Sequence, residues 1–70
     1  MNKYLVVIED AGNNYSAFCP DLPGCVATGK TRVEANRNLR QAIELHLEGL
    51  REDGVAPPRP HSSAGYVSVK

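Results

Sequence analysis

The sequence predicts an α+β domain with the element order βββαβ and one helix on one face of the sheet. Two short apolar segments separated by a turn rich in Gly and Asn predict a β-hairpin, and a long amphipathic segment after position 31 predicts the helix. The chain has 70 residues, which is enough for a single domain spanning 1–70. A core of this size supplies only about 3–5 kcal/mol of net stability, so we expect association into a homodimer or homotetramer.

Four segments are predicted to be strands. Tyr4–Ile8 is apolar without alternation, which is typical of a strand that lies inside a sheet. Tyr15–Cys19 completes the hairpin, Cys25–Thr28 follows a proline-containing loop, and Tyr66–Val69 alternates near the end of the chain. Because the helix connects the third and fourth strands, the connection is a crossover. An interior first strand with the fourth strand beside it gives the spatial order 3-2-1-4.

The helix has clear signals at both ends. Thr31 is a suitable N-cap and Glu34, three residues later, completes a capping box. The helix is expected from about Arg32 to Asp53, with Gly54 in the left-handed conformation that ends many helices. Its apolar residues and His46 fall within about 100° of arc, so one face of the helix should cover the sheet. The other sheet face has no helix to cover it, which indicates a partner surface.

The loop between the second and third strands is unusually stiff. Pro20 and Pro23 each fix φ, and Asp21 and Gly24 supply turn chemistry. Two interpretations remain open: the loop fixes how the two strands meet, or it presents an exposed Leu22 to a partner. We favour the first. Under both, Leu22→Ala is expected to leave folding intact.

Composition and charge exclude several classes of function. Eight basic residues balance eight acidic ones, so the chain lacks the basic stripe typical of nucleic-acid binding. The apolar run near the N-terminus is too short for a signal peptide or a membrane span, so we expect a cytoplasmic protein. Cys19 and Cys25 should then be reduced thiols. Their spacing is not a standard zinc pattern, and no metal or other cofactor is expected.

Several segments together resemble the HicB antitoxin-like family over essentially the whole chain. They are the hairpin Tyr4–Cys19, the P-D-L-P-G-C loop at 20–25, Gly29 before the helix, and Ala42–Leu45 followed by Glu52-Asp53-Gly54. The resemblance implies a degraded RNase H-like fold, and as partner a HicA-type toxin, an mRNA-cleaving ribonuclease. Many members add a C-terminal DNA-binding module. The present sequence ends at Lys70, so direct DNA binding is not expected.

The resemblance implies an antitoxin without enzymatic activity that occludes the active or RNA-binding face of its toxin. The candidate partner-binding residues are Asp21, Leu22, His46, Glu9 and Asp10; His46 departs from the family, which often has Tyr there. An alternative is a stand-alone oligomeric module with a regulatory or scaffold role. A third alternative, a residual RNase H-like nuclease, needs clustered carboxylates for two metal ions. The glutamates of the helix lie on its polar side, which disfavours that alternative.

Overall fold

The computed structural model describes residues 3–70, which form a three-stranded antiparallel sheet and one helix. Strand β1 spans Val7–Asp10, β2 spans Tyr15–Phe18, and β3 spans Val26–Gly29. Helix α1 spans Arg32–Glu52. The order in the sheet is β1-β2-β3, which agrees with the 3-2-1 part of the predicted order. The α+β class is therefore confirmed.

The register of the strands decides which side chains face the helix. Ala17 of β2 pairs with Ile8 of β1 and with Ala27 of β3. Ala17 is buried, and both neighbours pack against the same core. Since side chains alternate along a strand, the residues on either side of each of these point to the opposite face. We call that opposite face the open face; it consists of Val7, Glu9, Ser16, Phe18, Val26 and Thr28.

Both predicted ends of the helix are confirmed. The Thr31 hydroxyl accepts a hydrogen bond from the Glu34 amide at 3.0 Å, and the Glu34 carboxylate accepts one from the Lys30 amide at 2.9 Å. At the other end Gly54 has φ +71°, and the amide of Val55 donates to the carbonyl of Leu50 at 2.8 Å. This is the Schellman arrangement, which satisfies carbonyls that the last turn leaves free.

The core lies between α1 and the sheet, close to β3. Leu22 and Leu39 are its largest fully buried side chains, and the remaining buried positions are small. Gly29 allows the close approach of helix and strand, because a Cβ atom built there would lie 2.8 Å from the Cα of Ala35. Asn38 adds a hydrogen bond from its side-chain amide to the carbonyl of Thr28 at 2.8 Å.

Strand β1 differs from its prediction in its first residue and in its position within the sheet. It begins three residues later than the predicted Tyr4 start and lies at the edge of the sheet, not inside it. The hairpin turn closes late, with the Ala11 amide donating to the Asn14 carbonyl at 2.8 Å, so pairing extends to Asp10. At the other end β2 stops at Phe18, and residues before Val7 have no paired strand within residues 3–70. Tyr4 and Val6 nevertheless pack against the core.

The predicted fourth strand at Tyr66–Val69 is absent from the sheet of this chain. Residues 55–70 contain no helix or strand, and nearly all of them are exposed. Hydrogen bonds fix the earlier part of this segment, at Pro58, His61 and Ser62, and none among residues 3–70 reaches Tyr66–Val69. We call residues 63–70 the tail.

Candidate protein-binding surface

Asp21 in the proline loop binds the segment that precedes the tail. Its Oδ2 accepts hydrogen bonds from the backbone amides of His61 and Ser62 at 3.0 and 3.1 Å. Its Oδ1 accepts one from the Ser62 hydroxyl at 2.6 Å and lies 3.1 Å from His61 Nδ1. The side chain of Asp21 is fully shielded from solvent. We call this arrangement of Asp21, His61 and Ser62 the Asp21 clamp.

The clamp keeps a buried carboxylate charged. The hydrogen bond from the Ser62 side chain lowers the pKa of Asp21 against the opposing effect of burial, and the amides of His61 and Ser62 and the charge on His61 lower this pKa further. Hydrogen bonds to the ionised form are the expected means of holding a buried aspartate in that form. Both carboxylate oxygens are therefore occupied by the chain itself, and Asp21 acts as an internal anchor.

The rest of the proline loop forms a tight turn that buries Leu22. The Cys25 amide donates to the Leu22 carbonyl at 3.1 Å, with Pro23 and Gly24 at the two central positions and Gly24 at φ +89°. A type II turn has Pro first and a residue with positive φ second. Leu22 is 0% exposed, so the interpretation in which it is presented to a partner is wrong. Because Leu22 is buried, we expect its truncation to destabilise the fold rather than to leave folding intact.

The two cysteines that bracket the loop are free and buried. The Cys19 amide donates to the Cys25 carbonyl at 3.2 Å, which closes the base of the loop. Burial raises the pKa of the Cys25 thiol, and the neighbouring Cys19 raises it further. A raised thiol pKa lowers the fraction of nucleophilic thiolate, so these side chains serve packing. No three His, Cys, Asp or Glu residues among positions 3–70 are grouped as metal ligands.

The open face carries two rows of side chains across the three strands. One row is apolar, because Val7 pairs with Phe18 and Phe18 pairs with Val26. Val26 is 67% exposed. The neighbouring row is polar and is formed by Glu9, Ser16 and Thr28. No described element covers this face, so it is a surface on which another protein can pack.

The remaining predicted site residues do not gather at one place. Glu9 and Asp10 are exposed at the C-terminal end of β1, at the opposite end of the sheet from the Asp21 clamp. Asp10 also accepts a hydrogen bond from the amide of Gly12 at 2.9 Å. His46 is half-buried on α1. Of the five, Glu9 alone belongs to the open face, with Asp10 next to it.

Sequence reasoning missed two features of this surface. The apolar row could have been found by aligning the strands, because each of its members alternates with a residue that faces the core. The contact between Asp21 and Ser62 joins positions 41 apart in sequence. No pattern among residues close together in the sequence predicts this contact.

The family of the chain follows from comparison with known proteins. The family described as HicB_like antitoxin of bacterial toxin-antitoxin system matches residues 4–69, and the chain belongs to it. A protein of Haemophilus phage HP1, called an uncharacterized 14.9 kDa protein in the rep-hol intergenic region, is 35% identical over 93% of this chain. The present chain spans 49% of that relative's length. A Helicobacter pylori protein called UPF0150 protein is 52% identical over 71% of this chain and 69% of its own length.

A solved structure supports the same assignment. A chain of a structure entitled HicA3 and HicB3 toxin-antitoxin complex superposes with a TM-score of 0.68 at 27% sequence identity. The superposition covers 86% of the present chain and 70% of the other. The fold is therefore that of a HicB-like protein. No helix in the described part of the chain has the length and apolar character that crossing a bilayer requires.

Proposed function

We propose that this chain is an antitoxin that binds a HicA-type toxin and occludes the face with which that ribonuclease binds or cuts mRNA. The family assignment and the likeness to a chain of a toxin–antitoxin complex support this role. In this proposal the chain performs no catalysis. Inhibition by occlusion needs a surface of adequate area and chemistry, not a reactive group.

The open face is the surface that we assign to the toxin. Its apolar row of Val7, Phe18 and Val26 resembles the dehydrated centre of a protein interface. Glu9 lies at one end of it and is exposed, and Asp10 is next to it in sequence. A protein that binds RNA presents a basic surface, so the carboxylate of Glu9 would face a complementary charge. An interface of standard size, about 800 Å² per partner, would occupy a large share of so small a domain.

A matched pair of substitutions tests this assignment. Val26→Asp places a charge in the apolar row, whereas Val33→Asp places the same charge at the start of α1, outside the open face. The two valines are 67% and 76% exposed, so neither change should unfold the chain. The binding probe is the product of the neighbouring gene, co-expressed with this chain and purified by an affinity tag on the antitoxin.

The expected result is co-purification with the original chain and with Val33→Asp, together with protection of cellular mRNA. Val26→Asp should weaken binding about tenfold or more, because the new carboxylate loses its hydration at the interface. If the original chain does not bind the neighbouring protein, the antitoxin proposal is wrong. If Val26→Asp binds as tightly as Val33→Asp, the chain can still be an antitoxin but the open face is not its contact surface.

The second candidate function is a stand-alone oligomeric module with a regulatory or scaffold role. The observation that favours it is the exposed apolar tail, which offers a contact independent of any toxin. Under both candidates we propose a degraded RNase H-like fold. A fourth strand beside the outer edge of β1 would complete the order 3-2-1-4. We also place the chain in the cytoplasm, where the mRNA substrate of the proposed toxin is found.

A further inference from the structure

We infer that two copies of this chain exchange their tails, each tail pairing as a fourth strand with β1 of the other copy. The tail has the sequence pattern of a strand but no partner in the described chain. Tyr66, Val67 and Val69 protrude into solvent, with Val67 and Val69 86% and 87% exposed. Alternating residues with aromatic and β-branched side chains are typical of a strand. This inference does not depend on the proposed toxin.

The place where such a strand is missing is the outer edge of β1. Within residues 3–70, β2 is the one strand that pairs with β1, so the outward backbone groups of β1 have no ladder partner. An exposed edge of this kind is a template for pairing with another chain. The apolar composition of Tyr4–Ile8, which by itself predicts an interior strand, fits an edge that a further strand covers.

A groove of about 480 Å³ lies between α1 and the residues that lead into β1. We call it the edge groove. Its walls include Tyr4 and Val6 on the sheet side and Ile43 and Leu47 on the helix side. A strand added beside β1 would direct alternate side chains into this space. The groove is therefore the volume that the side chains of a fourth strand would occupy.

The tail fits the edge groove in length and pattern. Eight residues in extended conformation reach about 26 Å, which exceeds the roughly 13 Å length of a four-residue strand. Val67 and Val69 share one face and enter the groove. Tyr66 and Ser68 share the other face and extend the open face. The ring of Tyr66 then packs beside the apolar row while its hydroxyl stays in water, as is usual for tyrosine at an interface.

Charge favours a parallel register. If Tyr66 lies beside Leu5, then Ser68 lies beside Val7 and Lys70 lies beside Glu9. The ammonium group of Lys70 and the carboxylate of Glu9 are then neighbours on the same face. An antiparallel strand would instead place Lys70 beside Leu5 and leave Glu9 opposite Tyr66. Opposite charges on adjacent strands stabilise a register. The antiparallel arrangement places no opposite charges beside each other.

The course of the chain explains why a second copy supplies the strand. The hydroxyl of Tyr4 donates to the carbonyl of Pro58 at 2.6 Å, so the chain passes the start of β1 at that point. The Asp21 clamp then holds His61 and Ser62 at the loop between β2 and β3. The tail thus begins after the chain has passed its own β1. Within residues 3–70 the tail is not paired with that edge, and its exposed side chains are free to reach another molecule.

The dimensions of the chain agree with a tail that is not packed against its own domain. The radius of gyration is 13.6 Å, whereas a compact domain of this length has about 11 Å. In a two-fold arrangement each tail fills the groove of the other copy, so every contact is made twice. The reciprocal exchange also removes both open β1 edges at once.

Light scattering as a function of protein concentration provides the first test. The original chain should be a dimer, and Val67→Asp/Val69→Asp should raise the dimer dissociation constant about a hundredfold or more, because carboxylates would replace valine side chains packed beside Val6, Ile43 and Leu47. The matched control is Val33→Asp/Leu45→Asp, which adds the same charge at two other exposed apolar positions and should leave the dimer intact. A monomeric original chain, or equal dimers for both variants, overturns the inference.

Isotope-filtered NMR on a mixture of labelled and unlabelled chains provides the second test. Nuclear Overhauser contacts between Val67 or Val69 of one copy and Val6 of the other are expected. The same contacts within one chain, or no contacts to the tail, would show that no exchange occurs. The register is tested by charge reversal: Glu9→Lys should weaken the dimer several-fold and Glu9→Lys/Lys70→Glu should restore it. Absence of that restoration would overturn the parallel pairing.

Discussion

Truncation of Leu22 to alanine should remove most of the stability of this domain. Leu22 has no solvent-accessible surface, and Leu39 is the other large side chain that is fully buried among residues 3–70. The other buried positions near it, such as Ala17 and Ala35, are too small to move into the space that the substitution leaves. Buried Leu→Ala changes cost about 2–5 kcal/mol, more when the site does not collapse. A domain of this size has only about 3–5 kcal/mol to lose.

The assay is urea unfolding followed by circular dichroism at one fixed protein concentration. Leu22→Ala should be largely unfolded without denaturant, so Leu22→Val serves as the measurable variant, with an expected loss of about 1 kcal/mol for one methylene group. Leu45→Ala is the matched control, because Leu45 is 70% exposed and its loss should stay within about 0.5 kcal/mol. The reasoning is refuted if Leu22→Ala unfolds at the same urea concentration as Leu45→Ala.

Three further predictions concern the capping, packing and clamp residues. Thr31→Ala removes the hydroxyl that accepts from the Glu34 amide and should cost about 1 kcal/mol in urea unfolding. Gly29→Ala brings a Cβ into the backbone of Ala35; separation of helix and strand should cost about 1–3 kcal/mol, and an unchanged unfolding midpoint would contradict that close contact. The lowered pKa of Asp21 stabilises the fold above about pH 3.9 and is lost as the pH falls through the lowered value. Acid unfolding of Asp21→Asn should therefore be less steep below that pH than that of the original chain, and identical slopes would contradict the role of the clamp.

The features that the sequence predicts correctly depend on residues close together in the chain. Thr31 and Glu34 are within one helical turn of each other, and Gly54 closes the last turn with its immediate neighbours. The second strand is also found within one residue of its observed end. In each case local hydrogen bonds and steric limits determine the conformation. The residue types and their spacing in the sequence therefore predict it.

The features that the sequence does not predict depend on distant parts of the chain or on other molecules. Burial of Leu22 requires α1 to pack over the proline loop, so loop composition alone cannot reveal it. The burial of Asp21 requires Ser62, forty-one positions away by the same contact. Within the described chain Tyr66–Val69 forms no strand, so the sequence pattern of the tail does not by itself decide its pairing. The Asp21 clamp holds the residues just before the tail at the proline loop.

The Asp21 clamp can form only after both of its parts have been synthesised. It closes a ring from position 21 to position 62 without a covalent bond, and closure of so long a ring is entropically unfavourable until both ends are present. His61 is synthesised after Asp21 and lies 40 positions further along the chain. Until then the proline loop holds a carboxylate whose burial has no compensating donors, so the loop stays open to water. A chain without His61 and Ser62 would leave the Asp21 carboxylate without these donors, so the segment at 61–62 completes the proline loop.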